Sequence, residues 1–64
     1  MGELYKTGQI VQIKGQYQFV RYDENTKPNT PQPTAQEMFE NLDIGRSFPP
    51  IKSQNAGAYW RLVK

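Results

Sequence analysis

The chain has 64 residues, 36% of them hydrophobic, and contains no cysteine and no histidine. A disulfide, a thiolate or imidazole metal site, thiol catalysis and histidine acid–base chemistry are therefore excluded, and one thin core has to hold a fold of this size. Eight Lys and Arg against six Asp and Glu leave a net charge of +2; no two basic residues are adjacent, which describes a solvated surface rather than the clustered basic face of a dedicated nucleic-acid binder.

The opening residues Met1–Gly2–Glu3–Leu4–Tyr5–Lys6 lack the apolar stretch of a secretory leader. Lys6 stands where an N-myristoylation signal needs Ser or Thr. No apolar run approaches the roughly 18 residues a membrane helix requires. The expectation is one cytoplasmic domain over 1–64 with no membrane partner. After a polar turn at Thr7–Gly8, the run Gln9–Ile10–Val11–Gln12–Ile13 is β-branched and of strand length. Lys14–Gly15 reads as a tight turn, so residues 9–13 and 16–22 are expected to form a hairpin. In the second strand, alternation sets Tyr17, Phe19 and Arg21 on one face and Gln18, Val20 and Tyr22 on the other. Tyr17 and Phe19 mark the inner face.

Residues 23–33 carry Pro28, Pro31 and Pro33 and no large apolar side chain. They are expected to form a flexible, Pro-rich loop. Thr34-x-x-Glu37 is a capping box, in which each residue can satisfy a backbone N–H of the other. With Met38, Phe39 and Leu42 close to one helical face, a short helix over 35–41 follows, packed on the sheet through Met38 or Phe39 because it is too short to stand alone. A short strand at Leu42–Asp43–Ile44 is the alternative. Gly45 ends that element, and Phe48–Pro49–Pro50 continues as an extended or turning piece. The last strand, 58–63, puts Ala58, Trp60 and Leu62 on one face and Tyr59, Arg61 and Val63 on the other, with Trp60 anchoring the core. The expected fold is mostly β: a small three-stranded antiparallel sheet with one short helix and long loops.

Two stretches carry a resemblance. The first is Gly15–Gln16–Tyr17–Gln18–Phe19–Val20–Arg21–Tyr22. The second runs from Leu42 through Gly45 and Phe48–Pro49–Pro50–Ile51 to Gln54, closed by Trp60–Arg61–Leu62–Val63. Together they resemble small bacterial zinc-ribbon proteins with every cysteine replaced, and are similar to the YjzC-like small uncharacterised bacterial proteins. The resemblance implies a metal-free ribbon-like fold in which Phe19, Tyr22, Ile51 and Gln54 occupy the vacant ligand positions. In a zinc ribbon the metal supplies folding energy. Here Phe19, Tyr22 and Ile51 would replace it with apolar contact, at roughly 1.5–3 kcal/mol per buried side chain, and Gln54 would lie at the rim. A shared fold implies no activity.

Candidate chemistry is sparse. Glu37 and Glu40 lie on a solvated face, Ser47 and Ser53 have no His or Lys to activate them, and no glycine-rich phosphate loop is present. Neither an enzyme nor a cofactor is expected. The expected role is a small binding or adaptor module that meets a protein partner through a sheet edge or face. The alternative is weak single-stranded nucleic-acid binding, with Tyr17, Tyr22 and Tyr59 as stacking platforms and Arg21 and Arg61 as charge. Oligomeric state is not legible in the sequence.

Overall fold

A computed structural model describes residues 3–63; Met1 and Gly2, which belong to the segment read for a leader, and Lys64, the last basic residue, lie outside the described residues. The fold is mostly β. Four strands, β1 (Leu4–Lys6), β2 (Gly15–Tyr22), β3 (Phe39–Leu42) and β4 (Ala58–Leu62), form one antiparallel sheet in the order β1-β4-β2-β3. The last strand thus enters the middle of the sheet, beside β2. These two strands carry the buried side chains Tyr17, Phe19, Ala58 and Trp60, and strands that bury the most apolar surface belong at the sheet's centre.

The inner face holds the core. Val11, Tyr17, Phe19, Phe48, Ile51, Ala58 and Trp60 form one buried cluster, and Tyr5, Tyr22, Met38, Leu42 and Leu62 pack against it. Aromatic rings dominate it. Tyr5 stacks on Phe48 at 5.1 Å, Tyr17 meets Phe48 edge-on at 4.9 Å, and Phe19 meets Trp60 edge-on at 6.3 Å, the offset and T-shaped arrangements that ring quadrupoles favour. Trp60 Nε1–H donates to the Pro49 carbonyl at 3.1 Å, so the buried indole leaves no donor unpaired. The expected inner positions of Tyr17, Phe19, Ala58 and Trp60 are those observed.

Three expectations are corrected. The sheet has four strands, and residues 9–13 are not among them. Residues 8–11 pair instead with 45–48, outside the sheet: Gly8 N–H donates to Phe48 O at 3.0 Å, Phe48 N–H to Gln9 O at 2.9 Å, Val11 N–H to Arg46 O at 2.7 Å and Gly45 N–H to Val11 O at 3.0 Å. This paired arm covers the inner face with Val11 and Phe48. Its corners are Gly8 and Gly45, at φ 98 and 90, a region costly to any residue with a Cβ. Gly15 makes no tight turn; it opens β2 as an extended residue. The β-branched run had the right local preference, but preference does not choose a partner.

The helix over 35–41 is also replaced. Ala35–Glu37 is a single 3-10 turn, and Phe39–Leu42 becomes the edge strand β3. Glu37 Oε1 does accept the Thr34 N–H at 3.2 Å, while the Glu37 N–H goes to the Thr34 carbonyl at 2.9 Å. Two helical turns are marginal by themselves, and pairing with β2 from Gly15↔Leu42 to Gln18↔Phe39 satisfies the same backbone groups while Met38 still packs on the core. Phe39 stays 46% exposed.

The third correction is a β-bulge in β2. Phe19 pairs with Trp60 and Arg21 with Tyr59, so Val20 is an extra residue opposite β4. A bulge advances the pleat by one residue. Arg21 therefore leaves the face of Tyr17 and Phe19, and Tyr22 joins it, its ring edge-on to Phe19 at 5.0 Å.

Candidate functional site

The opposite face of the sheet is turned to solvent, and strand register builds it in two rows. Leu4, Arg61, Gln18 and Phe39 are successive cross-strand neighbours from β1 to β3. Lys6, Tyr59 and Arg21 form the second row. Leu4, Val20, Phe39 and Val63 are exposed apolar side chains, set among Arg21, Arg61 and the uncharged Gln16 and Gln18.

The second row is organised electrostatically. The Arg21 guanidinium lies 4.4 Å from the Tyr59 ring centroid, within cation–π range. The Tyr59 hydroxyl donates to Glu24 Oε2 at 2.7 Å, and Lys6 Nζ bonds Glu24 Oε1 at 2.7 Å. Glu24 thus reaches from the loop after β2 to hold two strands. The Lys6 ammonium and then the Tyr59 hydroxyl hold its carboxyl down at about 2. Its hydrogen bonds, and after them its charge, in turn push the Lys6 ammonium and the Tyr59 phenol above their ordinary ranges. Lys6 is neutralised by this contact, whereas Arg21 and Arg61 pair with no carboxylate among the described residues. Arg61 reaches only Gln18 Oε1, at 3.5 Å.

Of the residues expected to bind a partner, Arg21, Tyr59 and Arg61 come together on this face. Tyr17 and Tyr22 do not. Tyr17 is 0% exposed, its hydroxyl donates to the Ile13 carbonyl, and burial pushes its phenol up; it is a core residue that no partner can touch. Tyr22 lies on the inner side because of the bulge, and its hydroxyl donates to the Pro31 carbonyl at 2.6 Å. It ties down the 23–33 segment, which is built from two local turns: Thr26 N–H to Asp23 O at 3.2 Å and Thr30 N–H to Lys27 O at 3.1 Å.

The four positions assigned to vacant ligands are also located. Phe19 and Ile51 are buried, and Tyr22 packs against the same cluster. Gln54 is half-buried in the turn that returns Ile51 to Ala56, its N–H on the Ile51 carbonyl at 3.2 Å. Among the described residues no three acidic side chains gather as metal ligands.

One hydroxyl–carboxylate pair resembles an activated nucleophile. Ser53 Oγ donates to Glu37 Oε1 at 2.6 Å, and Ser53 N–H to Glu37 Oε2 at 3.1 Å. These two bonds from Ser53 hold the Glu37 carboxyl at about 2. The pair pins the 51–56 turn to the 3-10 turn.

Sequence reasoning missed Glu24, Phe39, Leu4 and Val20. Glu24 sits in a polar loop with no local signal, Phe39 was absorbed into the expected helix, and Leu4 preceded every expected strand. Val20 stood on the outer face without its bulge being visible. Comparison with protein-family patterns, curated proteins and solved structures finds no match.

Proposed function

We propose that this protein is a non-enzymatic binding module that docks a protein partner on the solvent-facing side of its sheet. The observation that carries the reading is the composition of that face: exposed Leu4, Val20, Phe39 and Val63 surround the Arg21–Tyr59 stack and Arg61. Aromatic and arginine side chains amid apolar surface are the mixture enriched in protein interfaces. Stacking of nucleic-acid bases is less well served. Arg21 covers one side of the Tyr59 ring, Glu24 adds negative charge beside it, and Tyr17 and Tyr22 are turned inward. The absence of cysteine and histidine supports a non-catalytic role. Among the described residues no helix is long and apolar enough to cross a membrane.

The test is capture by the immobilised protein from cell extract, run with and without nuclease, against an Arg21→Glu, Arg61→Glu variant. A protein partner that survives nuclease and is lost with the variant supports the reading. The rival is direct single-strand binding. A labelled mixed-sequence strand bound tighter than about 1 μM at moderate salt, with affinity falling steeply as salt rises, would replace the protein-docking reading.

A further inference from the structure

The two edges of the sheet differ in a way that the face does not. Thr7 N–H donates to the Ala58 carbonyl at 2.9 Å, so by the alternation of an antiparallel ladder Leu4 and Lys6 direct their backbone groups outward from β1. Those of Lys6 are already taken. The Lys6 N–H donates to Gln9 Oε1 at 2.7 Å, and the Lys6 carbonyl accepts the Gln9 N–H at 3.0 Å. A short strand, a charged side chain and a chain that folds back on the edge are the usual means of closing an edge to further pairing.

The other edge is open. Phe19 N–H donates to the Met38 carbonyl at 2.8 Å, which sets the phase of the β2–β3 ladder: Met38, Glu40 and Leu42 face β2, and Phe39 and Asn41 face outward. Outside the sheet ladders, no turn, loop or side-chain hydrogen bond among the described residues uses the backbone of Phe39 or Asn41. The strand has no proline and no bulge, and Phe39 is 46% exposed beside it. Two surface clefts, of about 550 and 410 Å³, share Asn41, Leu42 and Asp43 in their walls.

We propose that the β3 edge, through the outward backbone groups of Phe39 and Asn41, is a strand-addition site for an extended antiparallel peptide carrying apolar side chains beside Phe39 and basic side chains beside Glu40. Antiparallel addition continues the pattern of every pair already in the sheet. Main-chain bonds supply the affinity and alternate side chains the selectivity. The charge preference follows from Glu40, which lies opposite the lysine positions in this register and forms no ion pair among the described residues; Arg46 lines the same cleft without pairing with it. It also argues against a second copy of this chain as the occupant. The outward phase allows two-fold pairing about Glu40, which sets two carboxylates opposite each other, a destabilising pair. It also allows pairing about Asn41, which sets the Asp43 carboxylate against Phe39, and about Phe39, which needs Glu37, held in the 3-10 turn, to extend opposite Asn41.

The experiment uses short labelled peptides alternating lysine with valine, and the same peptides alternating glutamate with valine, read by fluorescence anisotropy. The lysine peptide is expected to bind more tightly. N-methylation of its valine amides, which face β3 when valine lies beside Phe39, should weaken binding at least about tenfold. N-methylation of its lysine amides, which face solvent, should not. Glu40→Lys should reverse the preference between the two peptides, and Arg21→Ala with Arg61→Ala should leave both affinities unchanged, which separates this edge from the sheet-face reading. No binding at about 1 mM peptide, equal loss from both methylations, or loss in the arginine variant would overturn the proposal. So would a concentration-dependent dimer in sedimentation that added peptide dissociates, which would assign the edge to a second copy.

Discussion

Trp60 is where the fold is most exposed to a single change. Its side chain is 0% exposed, it meets Phe19 edge-on, and it pairs across both neighbouring strands, with Tyr5 on β1 and Phe19 on β2. Truncation to alanine removes the largest side chain of a thin core, and buried Trp→Ala changes cost about 3–5 kcal/mol. The lost indole hydrogen bond belongs within that figure, since its acceptor is not orphaned: the Pro49 carbonyl also accepts the Thr7 hydroxyl at 2.9 Å. For a domain near the low end of the usual range of roughly 5–15 kcal/mol, Trp60→Ala should leave much of the population unfolded. Trp60→Phe keeps an aromatic ring in place and should cost about 1–3 kcal/mol, from lost volume and one hydrogen bond. Urea melts followed by far-ultraviolet circular dichroism measure both variants against the native chain. If Trp60→Ala unfolds at a midpoint close to that of the native chain, or if the two variants lose the same stability, the account of this core as a cluster built around the indole is wrong.

Deleting Val20 should be tolerated, with the loss of stability near or below about 1 kcal/mol, because removing the bulged residue leaves Phe19 opposite Trp60, Arg21 opposite Tyr59 and Tyr22 opposite Ala58; an unfolded amide spectrum would contradict the bulge assignment. Stability should fall with acid between about pH 4.5 and 2, since Glu24 and Glu37 titrate near 2 in the fold against an ordinary value of 4.5, so the unfolded chain takes up protons first. A Glu24→Gln, Glu37→Gln variant, melted across that window, should show a shallower decline, and an unchanged profile would count against both contacts. Gly57→Ala should destabilise, because its Cβ would strike the Asp23 carboxylate, which is held by the Asn25 N–H and the Thr26 hydroxyl; a native-like melting midpoint would show that this carboxylate swings aside freely.

The outer face and the β3 edge make different demands on a partner. The face offers side chains, Arg21 and Arg61 foremost, and its contacts should respond to salt where charge contributes. The edge offers backbone, at Phe39 and Asn41, and should respond to peptide N-methylation instead. Phe39 borders both, so one extended segment lying along β3 can turn its apolar side chains toward the face.

Features that repeat locally were legible in the chain alone. The absence of cysteine and histidine removed thiol and imidazole chemistry outright. The period of two in residues 16–22 and 58–63 marked two strands and turned Tyr17, Phe19, Ala58 and Trp60 inward, because successive side chains of a strand must alternate between its faces. What the tertiary structure alone decided was partnership. The run 9–13 has the composition of a sheet strand, yet β4, with the fully buried Trp60, takes the place beside β2, and the earlier run folds over as an arm that leaves Ile10 and Ile13 exposed. Residues 39–42 carry a helical spacing, yet an edge of β2 was free to pair, and a ladder there outweighs two isolated turns. The sides of Arg21 and Tyr22 depended on a bulge, which exists only as a mismatch in count between two strands and so leaves no mark on either one. Glu24 reached Lys6 and Tyr59 only once those strands had been brought together. Side-chain period is a property of one segment; pairing, register and long-range charge contacts are properties of two, and they are fixed by whichever juxtaposition buries the most apolar surface with its backbone bonds satisfied.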